Sequence, residues 1–187
     1  MYADVCNLDD VTRARTISLY IKIERSRAAS VNDGDYPFGM GTDCPSSHGY
    51  KYGTSFNMRF GPGRKLGFMG CGDDEGGKYG DPFSVDEWHH VMYTYDRSHV
   101  RVIVDGKESV SWAKSLHTSN AGEGRAVVQI GAHTGAGFSV SDSDITGADC
   151  LVDEFYIIDH AVNKDSEEFN LLRCHPFKVM GKECPSV

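Results

Sequence analysis

The cleanest pattern in the chain lies at residues 16–23. There Ile17, Leu19, Ile21 and Ile23 alternate with Thr16, Ser18, Tyr20 and Lys22. A period of two puts the two sets on opposite faces of a pleated strand, so the segment predicts a half-buried β-strand. Residues 54–60 and 65–70 predict two more strands, folded back across Gly61-Pro62-Gly63. Residues 88–95 are β-branched and aromatic, which suits a pleated surface. Residues 100–104 and 107–112 flank Asp105-Gly106, the preferred two-residue hairpin turn. Residues 127–130 and 151–159 read as further strands. One short helix is expected over 163–172, with Asn163 or Asp165 as N-cap and Glu167 and Glu168 near its positive end. The stretches 25–53, 71–81 and 131–149 are rich in Gly, Asp and Ser and read as loops, two of them long enough to carry function.

Many short strands and almost no helix predict an all-β fold, most simply a two-sheet antiparallel β-sandwich with one short C-terminal helix. The length, 187 residues, suits a single domain spanning 1–187 with its core at about 16–172. A hydrophobic content of 40% and a charged content of 25% place the chain among folded globular proteins. The net charge of −8 argues against nucleic acid, which demands clustered Lys and Arg. No apolar run reaches the ~20 residues of a membrane-spanning helix. Six dispersed cysteines, Cys6, Cys44, Cys71, Cys150, Cys174 and Cys184, form no C-x-x-C pair. They suit disulfides and an oxidising, extracellular compartment, although spacing fixes none of the pairings. A secreted protein of this kind is expected to carry its leader upstream of this sequence, because residues 1–10 are too polar for one.

Three segments carry a family resemblance. The 16–23 strand is similar to an early strand of the laminin-G and concanavalin-A-like jelly-roll superfamily. Trp88-His89-His90-Val91 with Thr94-Tyr95-Asp96, followed by Val102-Ile103-Val104-Asp105-Gly106, resembles that superfamily's central hairpin. Val152-Asp153-Glu154-Phe155-Tyr156-Ile157 resembles a strand near its C-terminal end. The resemblance implies a jelly-roll sandwich and an extracellular binding or adhesion module for a protein or glycan ligand. It also implies a Cys150–Cys174 disulfide, from the similarity of residues 147–153 to a laminin-G segment. Cys44 with Cys71, and Cys6 with Cys184, then remain as expected pairs.

Glucanases of this superfamily use an E-x-D-x-x-E strand, whose carboxylates act as nucleophile and acid. No glutamate here has an aspartate two positions later, so a binding module is expected rather than an enzyme. His89 and His90 are adjacent on a strand, point to opposite faces, and do not share a metal. Cys44 and His48 suit a disulfide position better than a thiolate nucleophile. Trp88 is expected in the core. Trp112, with the loop residues Tyr36, Phe38, Tyr50 and Tyr52, forms the candidate ligand-binding set, since loop aromatics anchor recognition surfaces. Asp73, Asp74, Asp142 and Asp144 are candidate calcium ligands, being carboxylates on glycine-rich loops. Two rival readings stand beside this one. The first is a carbohydrate-active enzyme or its attached lectin domain, and the second an acidic matrix protein contacting calcium mineral.

Overall fold

A computed structural model describes residues 14–26, 37–41, 55–69, 79–115, 127–130, 150–179 and 183–184. Nine strands and one helix appear among them: β1 (Arg15–Lys22), β2 (Phe38–Gly41), β3 (Ser55–Gly61), β4 (Lys65–Met69), β5 (Trp88–Tyr95), β6 (His99–Val104), β7 (Lys107–Ala113), β8 (Val127–Ile130), β9 (Leu151–Ile158) and α1 (Glu167–Val179). They form two antiparallel sheets, ordered β7-β6-β5-β1-β9 and β4-β3-β2-β8. The predicted strands fall within a residue or two of the observed ones. β2 is the exception, lying inside the stretch expected to be loop. The four residues Phe38-Gly39-Met40-Gly41 are too few to show a period against the glycine-rich stretch around them, and the strand exists because β3 and β8 bond it on both sides.

The core fills the space between the sheets. Ile17, Leu19, Ile21 and Ile23 are fully buried there with Val91, Tyr93, Val100 and Val102 from the five-stranded sheet and Phe38, Met58 and Phe60 from the other. Phe38 meets Phe155 at 5.2 Å between ring centroids, and Phe68 meets Trp112 at 6.4 Å. Tyr93 Oη donates to the Gly67 carbonyl at 2.5 Å, tying one sheet to the other.

The outer face of β1 departs from expectation. Thr16, Ser18 and Tyr20 are buried as thoroughly as the isoleucines opposite them. The cause is α1 and the segment before it, which lay Val162 and Phe169 over Met92 and Ile103 as a second small core. Thr16 Oγ1 accepts the Val162 amide at 2.8 Å and donates to the His160 carbonyl at 2.9 Å. The helix starts later than expected, at Glu167. Ser166 is its cap, accepting the Phe169 amide at 3.1 Å, while Asn163 instead accepts the Asp165 amide in a preceding turn. It also runs past residue 172 and through Pro176.

Cys174 bonds Cys184, with Cα atoms 5.1 Å apart. This corrects the expected pairing: Cys174 is taken by a partner ten residues along the chain, so neither Cys150–Cys174 nor Cys6–Cys184 forms. Cys6, Cys44 and Cys71 lie outside the described residues.

Two β-bulges set which residues face outward. Ser18 pairs with Tyr156 but Tyr20 with Asp153, so β9 carries one extra residue, and Glu154 takes φ 48°. Val102 pairs with Val110 but Ile103 with Glu108, so β7 carries Ser109 as its extra residue. Ser109 Oγ accepts the Asp81 amide at 2.8 Å, and Gly80 passes so close that a Cβ there would sit 2.0 Å from that oxygen.

Candidate functional site

The described residues line an open recess of about 370 Å³ on the outer face of the five-stranded sheet. Thr94, Asp96, Arg101, Ile103 and Glu108 form the sheet side, and the segment from Ala161 to Lys164 forms the other wall. Each charged residue arrives for a structural reason. Asp96 ends β5 and folds the following turn: its Oδ1 accepts the Ser98 amide at 2.9 Å, the Ser98 hydroxyl at 2.7 Å and the His99 amide at 2.8 Å. Its Oδ2 takes Arg101 Nη1 at 2.6 Å. Glu108 would face the core in unbroken alternation, but the Ser109 bulge turns it outward, 3.9 Å from Arg101 Nε.

Burial works to raise the Asp96 pKa. The hydrogen bonds from Ser98, Arg101 and the two backbone amides outweigh it and hold the carboxyl well below the usual range. Asp96 therefore stays charged, and the guanidinium stays gripped between two carboxylates. Ala161 supplies partly exposed apolar surface between these polar groups, over Ile103 and Val162, which are buried. The result is a shallow recess of fixed charges and aliphatic floor.

The two histidines diverge as the strand period requires. His90 lies under α1, with Nε2 2.8 Å from Ser18 Oγ and its ring 5.6 Å from Phe169. Burial lowers its pKa to about 4; Asp105 opposes that shift and Arg173 adds to it. His89 points toward the rim of the sandwich, between Ser84 and Asp105.

Of the expected ligand-binding aromatics, Phe38 is fully buried on β2 and Trp112 is 2% exposed, so both are core residues. Trp112 pairs with Val100, whose side chain faces the core, and the tryptophan follows it inward. Trp88, expected in the core, is 44% exposed instead. Its register partner is Lys22, which places it on the outer face at the end of the sheet. Tyr36, Tyr50, Tyr52, Asp73, Asp74, Asp142 and Asp144 lie outside the described residues. Among the described residues no group of three or more His, Cys, Asp or Glu is placed to hold a metal ion, and no helix is long and apolar enough to cross a membrane. Sequence reasoning missed the cavity. Its one visible trace was Asp96-Arg97-Ser98, a turn-forming triplet, and the bulge that presents Glu108 leaves no mark in the hydrophobic pattern.

Residues 2–166 match a laminin-G-type family model described as the concanavalin A-like lectin/glucanases superfamily. The chain belongs to that superfamily. A search of curated proteins finds no match. Solved structures extend the likeness in fold. A Trypanosoma rangeli sialidase bound to 2,3-difluorosialic acid matches with TM-score 0.59 and 15% identity, over 88% of this chain and 23% of that one. Domain 4 of a GH43 extracellular arabinanase from Geobacillus stearothermophilus, in complex with arabinotriose, matches with TM-score 0.51 and 16% identity, over 81% of this chain and 63% of that one. A putative carbohydrate binding protein from Bacteroides ovatus matches with TM-score 0.52 and 15% identity, over 82% of this chain and 39% of that one. This concanavalin A-like chain thus spans less than a quarter of the sialidase and under two thirds of the others. At these identities the shared property is the fold.

Proposed function

We propose that the domain is an extracellular glycan-binding module that holds saccharide chains without cutting glycosidic bonds. The observation that carries this reading is the cavity at Asp96, Arg101 and Glu108, where fixed charged donors and acceptors border an aliphatic floor. Sugars present the matching surface, with hydroxyl edges for the carboxylates and guanidinium and a C–H face for the partly exposed Ala161. Preorganisation lowers the ordering cost of binding, because Arg101 is already held by two partners. The superfamily membership and the saccharide-bound arabinanase domain support the same class of ligand. The Cys174–Cys184 disulfide supports an oxidising compartment.

The test is a glycan array followed by calorimetry on the best ligand. Arg101→Ala should weaken binding at least about tenfold, the equivalent of one lost charge-assisted contact of about 1.5–3 kcal/mol. Unchanged affinity in Arg101→Ala would place the ligand elsewhere, and binding to no glycan at all would end the reading. Running the array with calcium and with chelator also examines Asp73, Asp74, Asp142 and Asp144 as ion ligands, with Asp73→Ala and Asp142→Ala separating the two loops.

A further inference from the structure

At the other end of β5 from the cavity, three side chains outside the proposed glycan site stand in hydrogen-bonded series. Ser84 Oγ is 2.7 Å from His89 Nε2, and His89 Nδ1 is 2.6 Å from Asp105 Oδ2. Each is held by a rigid feature. Asp105 sits in the β6–β7 turn at φ 50°, its Oδ1 accepting the His90 amide at 2.9 Å while its own amide donates to the His90 carbonyl at 2.9 Å. His89 lies on β5 with its ring against Phe83 at 4.7 Å, and its side chain is only 12% exposed. Ser84 follows Phe83, which is buried and bonded through its amide to the Arg64 carbonyl at 3.0 Å. Ser84 is an exposed residue, at the surface where a reactant can approach it.

We propose that Ser84 is an activated serine nucleophile that accepts acyl groups from carboxylic esters. The Asp105 carboxylate on Nδ1 fixes the imidazole tautomer that carries its N–H there, leaving the Nε2 lone pair toward Ser84. Ser84 Oγ then bonds the ester carbonyl carbon as its proton passes to Nε2. Collapse breaks the bond to the alcohol oxygen, which leaves with that proton. Water, deprotonated by the same nitrogen, attacks the acyl-serine, releases the carboxylic acid and restores the hydroxyl. The net reaction is ester plus water to acid plus alcohol, and it needs no cofactor. Asp105 is a positioning residue, acting through His89.

Glu87 acts as a brake. Its Oε2 lies 2.7 Å from the same Ser84 Oγ. The hydroxyl has one proton and two acceptors, so each moment spent bonded to Glu87 is withheld from His89. Glutamine at 87 can donate to Ser84 Oγ instead and leave that proton for the imidazole.

This proposal does not rest on the glycan reading, and its test uses a different ligand. The full chain is incubated with a fluorophosphonate probe and with p-nitrophenyl acetate, and the adduct is mapped by peptide mass. One adduct is expected, on Ser84, absent in Ser84→Ala. His89→Gln should slow labelling at least about 100-fold, the lower end of general-base contributions. Asp105→Asn should lower the maximal labelling rate while leaving the half-saturating probe concentration unchanged. Glu87→Gln should accelerate labelling. No adduct at Ser84, or equal labelling in His89→Gln, would overturn the proposal and leave the three groups as a brace for the hairpin. If His89→Gln fails to fold, Glu87→Gln decides: labelling no faster than in the unmodified chain overturns it too.

Discussion

The two faces of the five-stranded sheet both bury side chains, yet they are built differently. The inner face is covered by the second sheet and filled with aliphatic and aromatic side chains, Ile17 to Ile23, Tyr93 and Trp112 among them. The outer face is covered by one helix and buries polar groups instead: Thr16, Ser18, His90 and Thr94. Burying polar groups costs free energy unless each finds a partner, so the outer face depends on particular hydrogen bonds. Ser18 bonds His90, Thr16 bonds both His160 and Val162, and Tyr20 Oη donates to the Arg173 carbonyl. The inner face stabilises by area and tolerates changes in solution. The outer face stabilises by pairing and is sensitive to pH and reductant.

Four experiments break or sharpen this contrast. Trp112→Ala should cost about 3–5 kcal/mol and lower the melting temperature without dependence on pH, because it opens a cavity in the inner core. Acidification should act on the outer face. Burial lowers the His90 pKa to about 4 in the folded state, against the ordinary imidazole value of 6.5. Its neutral form is the folded form, so this contribution is fully present above pH 6.5 and is lost as pH falls toward 4. The sum is about 3 kcal/mol, from 1.36 kcal/mol per pKa unit. His160 has the opposite sign: Glu168 and Asp159 raise its pKa, so its contribution is present below 6.5 and fades as pH rises through the raised value. Denaturant titrations at several pH values should show the acid loss, and His90→Gln should flatten it.

Reducing Cys174–Cys184 should cost about 2–3 kcal/mol in the chain-entropy model, for a cross-link spanning ten residues. Hydrogen exchange should rise first in α1 while β1 to β6 stay protected; uniform exposure would show the two faces to be one cooperative unit. Gly106→Val is the smallest change, about 1–2 kcal/mol, since a β-branched residue resists φ 86°. Its effect belongs to the hairpin and should match at pH 5 and pH 8.

The sequence showed the inner face well. Alternation in residues 16–23, the Asp105-Gly106 turn and the strand expected over 151–159 carried the five-stranded sheet because each follows from local sterics and period. The outer face was hidden because its burial depends on where α1 lands, which is a tertiary fact. Thr16, Ser18 and Tyr20 read as solvent-facing for that reason. The bulges were hidden too. A single extra residue at Ser109 or Glu154 shifts every later side chain to the other face without changing composition. That shift brought Glu108 into the cavity. Trp88 and Trp112 were misplaced as a pair, since aromaticity predicts burial only when register agrees.

The sheet order carries a consequence for how the chain acquires its shape. β1 comes early in the sequence yet lies between β5 and β9, and Thr16 closes a hydrogen bond with Val162, 146 residues away. Pairings this distant form slowly, since a long loop must close before any contact rewards it. On a ribosome, β1 emerges with two open edges and four buried-type aliphatic side chains long before β9 exists. One edge closes once β5 has emerged, but the other stays open until β9 follows, which leaves β1 prone to pair wrongly in the interval.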